Sequence, residues 1–336
     1  MTRSLIATAA TILCVSTQIA GAAEWDVSLW GERRAFTEHV EKLAELVAEK
    51  TNNEFRLNIS YGGLAPSREN LDGISKGSFE MAQFCAGYHP EKNPTITVLE
   101  LPFLGVTSLE QEIALSLAVY RDPITQIDMS RWNATLLMPS PLPQYNIMGA
   151  GNLPSSLSDF TGLTVRATGG VGKAIEALGG ELVSIPAPEV QAAMASGEVR
   201  AVSFAPHAHM AFGTVDQGSW WTSNLNPGTV NCPVVVNTKA LSALNEAHRD
   251  ALMSSVDEAL DHYVAYYEGA TMDAWGPALA ENEIAVLTLR DDIIASIKDE
   301  VATPAAQAWI EEYSARGLPA QQLYEKVIAI IEGTEN

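Results

Sequence analysis

An alternation of short apolar strands with amphipathic helices, repeated along the chain, constrains this sequence more than any other feature. Residues 25–29 alternate as a strand, and residues 34–49 place Phe36, Val40, Leu43, Leu46 and Val47 on one helical stripe. Residues 55–60 read as the next strand, 70–76 as a short helix and 79–85 as another strand. Helix 109–120 and strand 133–137 follow; then a strand ends at Val165 and Arg166, with helix 173–178, strand 182–185, helix 188–196 and strand 201–205 after it. Such alternation predicts α/β domains with largely parallel sheets.

The 336 residues are too many for one ordinary domain and suit two. The chain opens with a basic start at Arg3, an apolar run over 5–15 and the small residues Ala20-Gly21-Ala22, the pattern of a secretory leader cut near Ala22. Leu13 stands where a lipoprotein anchor at Cys14 would need a small residue, so no anchor is expected. The run is shorter than the roughly 20 residues that span a bilayer. The predicted organisation is a signal peptide over 1–22, a first domain over 23–147 and 236–275, and a second over 148–235 with the C-terminal helices 276–336. The apolar segment 230–237 is read as a strand that returns to the first domain. Residues 246–275 read as one long helix serving more than one domain, because the length exceeds twice the mean. The segment 291–332 reads as amphipathic helix.

Charge excludes whole classes of partner. With 20 basic against 41 acidic residues and a formal charge of -21, the surface repels nucleic acid and anionic lipid. An anionic ligand therefore needs a local positive site. Of the cysteines, Cys85 and Cys232 remain after the leader. They fall in different predicted domains, where a bridge would oppose domain movement, so both are expected as small buried residues.

Several motifs point to chemistry and fail on context. Residues 73–77 fit G-x-S-x-G, but a nucleophile needs a strand before the serine and a helix after it, and the order is reversed; a helix C-cap is expected. Residues 168–173 resemble a phosphate loop, yet Ala167 and Ala174 replace the first glycine and the magnesium-binding hydroxyl. His207 and His209 lack a third metal ligand at recognisable spacing. No nucleophile–base–orienter set is visible, and no enzyme activity, metal or cofactor is expected. Arg166 remains. It ends a strand at a glycine-rich turn, the sheet edge where open α/β folds bind ligands, and its planar fork suits a carboxylate.

The stretch "DFTGLTVRATGG…ALGGELVSIPAPEVQAAMASGEVRAV", with "LELPFL" upstream and "VVVNTKAL" before the long helix, resembles the DctP-type solute receptors of tripartite ATP-independent periplasmic (TRAP) transporters. The resemblance covers nearly all of the chain after the leader. It implies a two-domain periplasmic-binding-protein-like fold, with a cleft between the domains and a long helix spanning both. It further implies an exported periplasmic receptor that closes on a small carboxylate and delivers it to membrane permease subunits. Arg166 matches the family's carboxylate-pairing arginine; Trp30, Glu69, Phe84, Cys85, Phe204, Ala205 and Asn231 carry over as cleft residues. The chain departs from the pattern in placing bulky Phe204 where a polar pocket residue is common. With Tyr88, Trp220 and Trp221 this implies an aromatic pocket for a monocarboxylate with an apolar, aromatic or cationic tail. A signalling receptor, a carboxylate-processing periplasmic enzyme and an ABC-type binding protein are the alternatives.

Overall fold

A computed structural model describes residues 22–333. The leader expected over 1–22 thus lies, up to Gly21, outside the described residues. Along the chain run β1 (Ala23–Leu29), α1 (Glu38–Lys50), β2 (Phe55–Tyr61), α2 (Asn70–Lys76), β3 (Met81–Gln83), α3 (Leu109–Arg121), α4 (Pro123–Ser130) and β4 (Ala134–Met138). Then come β5 (Asn146–Gly149), β6 (Thr164–Arg166), α5 (Val171–Ala177), β7 (Glu181–Val183), α6 (Val190–Ser196), β8 (Ala201–Phe204), α7 (Pro206–Ala211) and β9 (Trp220–Thr222). The chain ends with β10 (Val234–Asn237), α8 (Thr238–Ala243), α9 (Glu246–Met253), α10 (Val256–Tyr266), α11 (Met272–Glu281), β11 (Ala285–Leu287), α12 (Asp291–Ala315) and α13 (Ala320–Ile331).

The strands form two sheets, one of order β2-β1-β3-β10-β4 and one of order β11-β9-β5-β8-β6-β7. In the first lobe β1 runs parallel to β2 and β3, and the returning β10 lies antiparallel between β3 and β4. In the second, β6 is parallel to β7 and β8, while β5 is antiparallel to β8 and β9. Each lobe has its own core. Trp25, Val27 and Leu29 bury against Val40, Leu43 and Val47 of α1 and Leu252 and Leu260 behind it. Ile147, Val165, Ile175 and Trp220 fill the second lobe with Ile297 and Val301 of α12.

Two helical segments join the lobes. The span read as one helix over 246–275 is broken at Ser254–Ser255, and the five residues Tyr267–Thr271 form a π-turn before α11. α10 packs on α1 in the first lobe and α11 on α7 in the second, so the run serves both lobes despite its breaks. The second connector is α12. Its N-terminal half packs in the second lobe's core, and past Pro304 the residues Trp309, Ile310 and Tyr313 enter the first lobe's core beside Leu323 and Val327 of α13.

The expectation for the cysteines is overturned: Cys85 and Cys232 form a disulfide with S–S 1.99 Å. The reason lies in the register. Gln83 pairs with Val234 and Ala82 with Val235 in the antiparallel β3–β10 ladder, and two residues further on Cys85 faces Cys232. Both belong to the same edge of the first lobe, so the bridge leaves inter-lobe movement free.

The nucleophile-like motif resolves as expected. Ser75 sits within α2, Gly77 caps it at φ 71°, and Gly73 lets Phe79 press on the helix, where a Cβ would lie 2.1 Å from the ring.

Candidate functional site

Between the two sheet edges lies an aromatic enclosure. Trp30 and Phe36 come from the β1–α1 loop, Cys85 and Tyr88 from the segment after β3, Arg166 from the end of β6, Phe204 from the end of β8, and His207 and Phe212 from α7 and its cap. The free volume inside is about 20 Å³, room for one water molecule. A larger groove of about 760 Å³ adjoins it, lined by Arg68, Glu100, Gly169, Gly170, Trp309 and Tyr313 among others, and Tyr88 stands in the wall of both.

Among the described residues Arg166 is the second-largest fully buried side chain, at 2% exposure. Its Nε donates to the Ile185 carbonyl at 2.9 Å, and its guanidinium lies 4.6 Å from the centre of the Phe204 ring. Burial pulls its pKa down, while the Tyr88 and Tyr145 hydroxyls oppose that shift. Among the described residues it forms no ion pair with a carboxylate. A buried cation held by a ring and a carbonyl, with no carboxylate paired to it among the described residues, has the chemistry to attract an anion.

The lobes meet around this arginine. The Tyr88 hydroxyl accepts the Ala187 N–H at 3.0 Å. Arg68 donates to the Tyr88 carbonyl and, at 3.2 Å, to the Ser184 carbonyl of the second lobe. Gly169 and Gly170 lie against Glu100, where a Cβ on Gly170 would sit 1.9 Å from the Glu100 carbonyl oxygen. Glu100 is 2% exposed; its Oε1 accepts from Gly87 and Asn231 N–H at 3.1 and 2.9 Å, while Oε2 has no partner. Burial pushes its pKa up to about 7 against those two donors.

The structure brings Arg166, Trp30, Cys85, Tyr88 and Phe204 together around the enclosure. Cys85 contributes as half of the disulfide. Ala205 is buried just behind, as the N-cap of α7. The other expected positions lie elsewhere. Phe84 points opposite to Cys85, as neighbours on an extended segment do, and stacks on His89 at 5.5 Å in the first lobe's core. Asn231 is consumed by structure, accepting from the Tyr120 hydroxyl at 2.7 Å and donating its backbone N–H to Glu100. Glu69 is exposed at the start of α2, one residue from the arginine that does reach the cleft. Trp220 lies in the second lobe's core, edge-on to Phe160 at 5.9 Å and flat over Gly149, while Trp221 packs on Trp275 at 5.3 Å.

Sequence reasoning passed over Arg34, Arg68 and Phe212. Arg34 carried a readable signal: a charged residue directly before Ala35-Phe36, where the chain turns into an apolar helical stripe. Its guanidinium lies 4.2 Å from Trp30, 5.3 Å from Phe36 and 5.4 Å from Phe212. His207 is neutral, its pKa held well below the usual range by burial and by Arg34; its Nδ1 meets the Tyr267 hydroxyl at 2.9 Å.

The family model of bacterial extracellular solute-binding proteins, family 7 (DctP), matches residues 27–118. In fold the chain is similar to a marine metagenome TRAP solute-binding protein from an unidentified microbe, specific for aromatic acid ligands and solved with metahydroxyphenylacetate. Its TM-score is 0.83 at 20% identity, covering 94% of this chain and 100% of that one. It is also similar to DctP7 of Bordetella pertussis, an extracytoplasmic solute receptor binding pyroglutamic acid, at TM-score 0.78 and 18% identity over 90% of this chain and 100% of the other. In sequence it is 23% identical over 306 residues to the outer membrane transporter protein TsaT of Comamonas testosteroni, covering 84% of this chain and 83% of that protein. The family match over residues 27–118 and the fold shared over most of the chain agree: the chain is similar to the DctP-type solute-binding proteins.

Proposed function

We propose that the protein is an extracytoplasmic receptor that captures a small aromatic carboxylic acid between its lobes and hands it to the permease subunits of a TRAP transporter. It acts as a receptor and not as an enzyme, in keeping with the proteins it resembles. One observation carries the ligand class: Arg166 is buried without an ion pair and lies over Phe204, in an enclosure walled by Trp30, Phe36, Tyr88 and Phe212. The guanidinium fork takes the carboxylate in two charge-assisted hydrogen bonds, and the rings take a flat apolar body. The ligands of two structural relatives, a hydroxyphenylacetate and a pyroglutamate, are cyclic acids and support this reading.

Admission of a benzene-sized ring, which needs about 150 Å³, requires the lobes to part. A ligand touching both lobes then adds contacts that exist only on closure and shifts the open–closed equilibrium by that difference. The permease reads the closed form. Among the described residues no helix is long and apolar enough to cross a membrane. We place the receptor in the periplasm after removal of the leader near Ala22.

A thermal-shift screen tests the reading. Benzoate, phenylacetate and mandelate should raise the melting temperature, a ligand at 100 times its Kd stabilising by about 2.7 kcal/mol. Benzamide should not. Equal shifts with benzamide, or shifts with succinate alone, would overturn it.

A further inference from the structure

We propose that Arg34 is a second anion-recognising group of this site, and that the ligand is an aromatic dicarboxylate rather than a simple aromatic monoacid. The inference rests on the aromatic-carboxylate reading above and deepens it.

Arg34 is 8% exposed, and its Nη1 donates to the carbonyls of Trp30 at 3.1 Å and Glu32 at 2.6 Å. Its Nε and Nη2 are buried with no acceptor. No carboxylate pairs with it among the described residues, where Arg33 next to it takes both Glu38 and Glu41. Two unsatisfied donors on a buried guanidinium cost free energy that an incoming acceptor would recover.

The placement gives that acceptor a route. The three rings around Arg34 are Trp30, Phe36 and Phe212, and all three wall the ligand enclosure. Trp30 and Phe36 belong to the first lobe, whereas Phe212 caps α7 in the second. Parting of the lobes withdraws Phe212 and uncovers the guanidinium on the side of the cleft. Arg166 stands at the other end of the same ring series, over Phe204, which packs on Phe212 at 5.8 Å. The charge count agrees. Arg166 lines the enclosure, Arg34 lies directly behind its rings, and no carboxylate is among the lining residues. Glu112 lies outside that lining, where it accepts the N–H of the wall residue Leu142 at 2.9 Å and burial raises its pKa. A ligand with one carboxylate balances one arginine; a flat ligand with a carboxylate at each end balances both.

The test is calorimetric titration of the mature protein with benzoate and with the benzene-1,2-, 1,3- and 1,4-dicarboxylates. At least one dicarboxylate should bind ~10-fold or more tightly than benzoate. In Arg34→Met that preference should collapse to about parity, and Arg34→Lys should restore part of it. Melting curves establish that each variant is folded. If Arg34→Met does not fold, the wild-type preference and its reduction in Arg34→Lys decide. Benzoate binding as tightly as every dicarboxylate, or a preference that survives Arg34→Met, overturns the proposal and leaves the aromatic-acid reading standing. No binding of any of the four acids sinks both.

Discussion

Tyr88 and Ala187 join the two lobes through one hydrogen bond, the Ala187 N–H donating to the phenol oxygen at 3.0 Å. Tyr88 also stands against Arg166 and sits 5.8 Å from Trp30, edge to face. One side chain thus touches the cation, the ring wall and the opposite lobe. Tyr88→Phe keeps the ring and removes the oxygen. Loss of a buried cross-lobe hydrogen bond costs about 1–2 kcal/mol. The expected result is ligand affinity about 10-fold weaker in calorimetry, with a melting temperature close to that of the unliganded wild type.

Arg166→Met removes the group that pairs with the carboxylate while keeping most of its volume. Affinity should fall at least ~30-fold. Without ligand the variant should be no less stable than wild type, because an unpaired buried cation has been replaced by an apolar chain. Calorimetry and melting curves separate the two effects. A variant that binds within threefold of wild type contradicts the assignment of Arg166.

Gly170 has φ of -66°, which alanine adopts without strain, so Gly170→Ala tests space alone. The new methyl would lie 1.9 Å from the Glu100 carbonyl oxygen and 3.1 Å from the Pro102 ring. It lies outside the lining of the aromatic enclosure. The variant should nevertheless bind less tightly, and its radius of gyration in small-angle scattering should stay that of the open form at ligand concentrations that compact the wild type.

Glu100 sets a pH dependence whose sign follows from its environment. Burial raises its folded-state pKa to about 7, above the ordinary value of 4.5. The folded chain therefore holds a proton that the unfolded chain releases. This stabilisation is complete below the ordinary carboxylate range and is lost as pH rises through about 7. The change is of order 3 kcal/mol. Chemical denaturation between pH 5 and 8 should show stability falling with pH, and Glu100→Gln should flatten that slope.

The strand and helix alternation was legible because its periods are local, and so was Arg166, whose place between a strand and a glycine turn needs no tertiary information. The strands β5, β9 and β11 were not legible. Phe84 was assigned to the cleft by the family resemblance, and Trp220 by its place near that pattern. Neither says on which side of a sheet a ring is buried: Gly149 beneath Trp220 and the alternation at Phe84–Cys85 decide that. The break at Ser254–Ser255 was hidden because the apolar stripe continues through it, with Leu252 and Val256 both buried. The disulfide was missed for a topological reason: β10 returns to β3 after a 147-residue excursion, and only that antiparallel register brings the two cysteines face to face.

That bridge has a consequence for how the chain survives proteolysis. Strands β5 to β9 lie within the covalent loop it closes, so five of the second lobe's six strands hang from one crosslink on the first. A protease that nicks any single bond between residues 86 and 231 leaves both fragments in one molecule, able to spring back into register. The same cut in reduced protein frees the pieces to drift apart. Oxidation thus turns an otherwise fatal scission into a repairable wound.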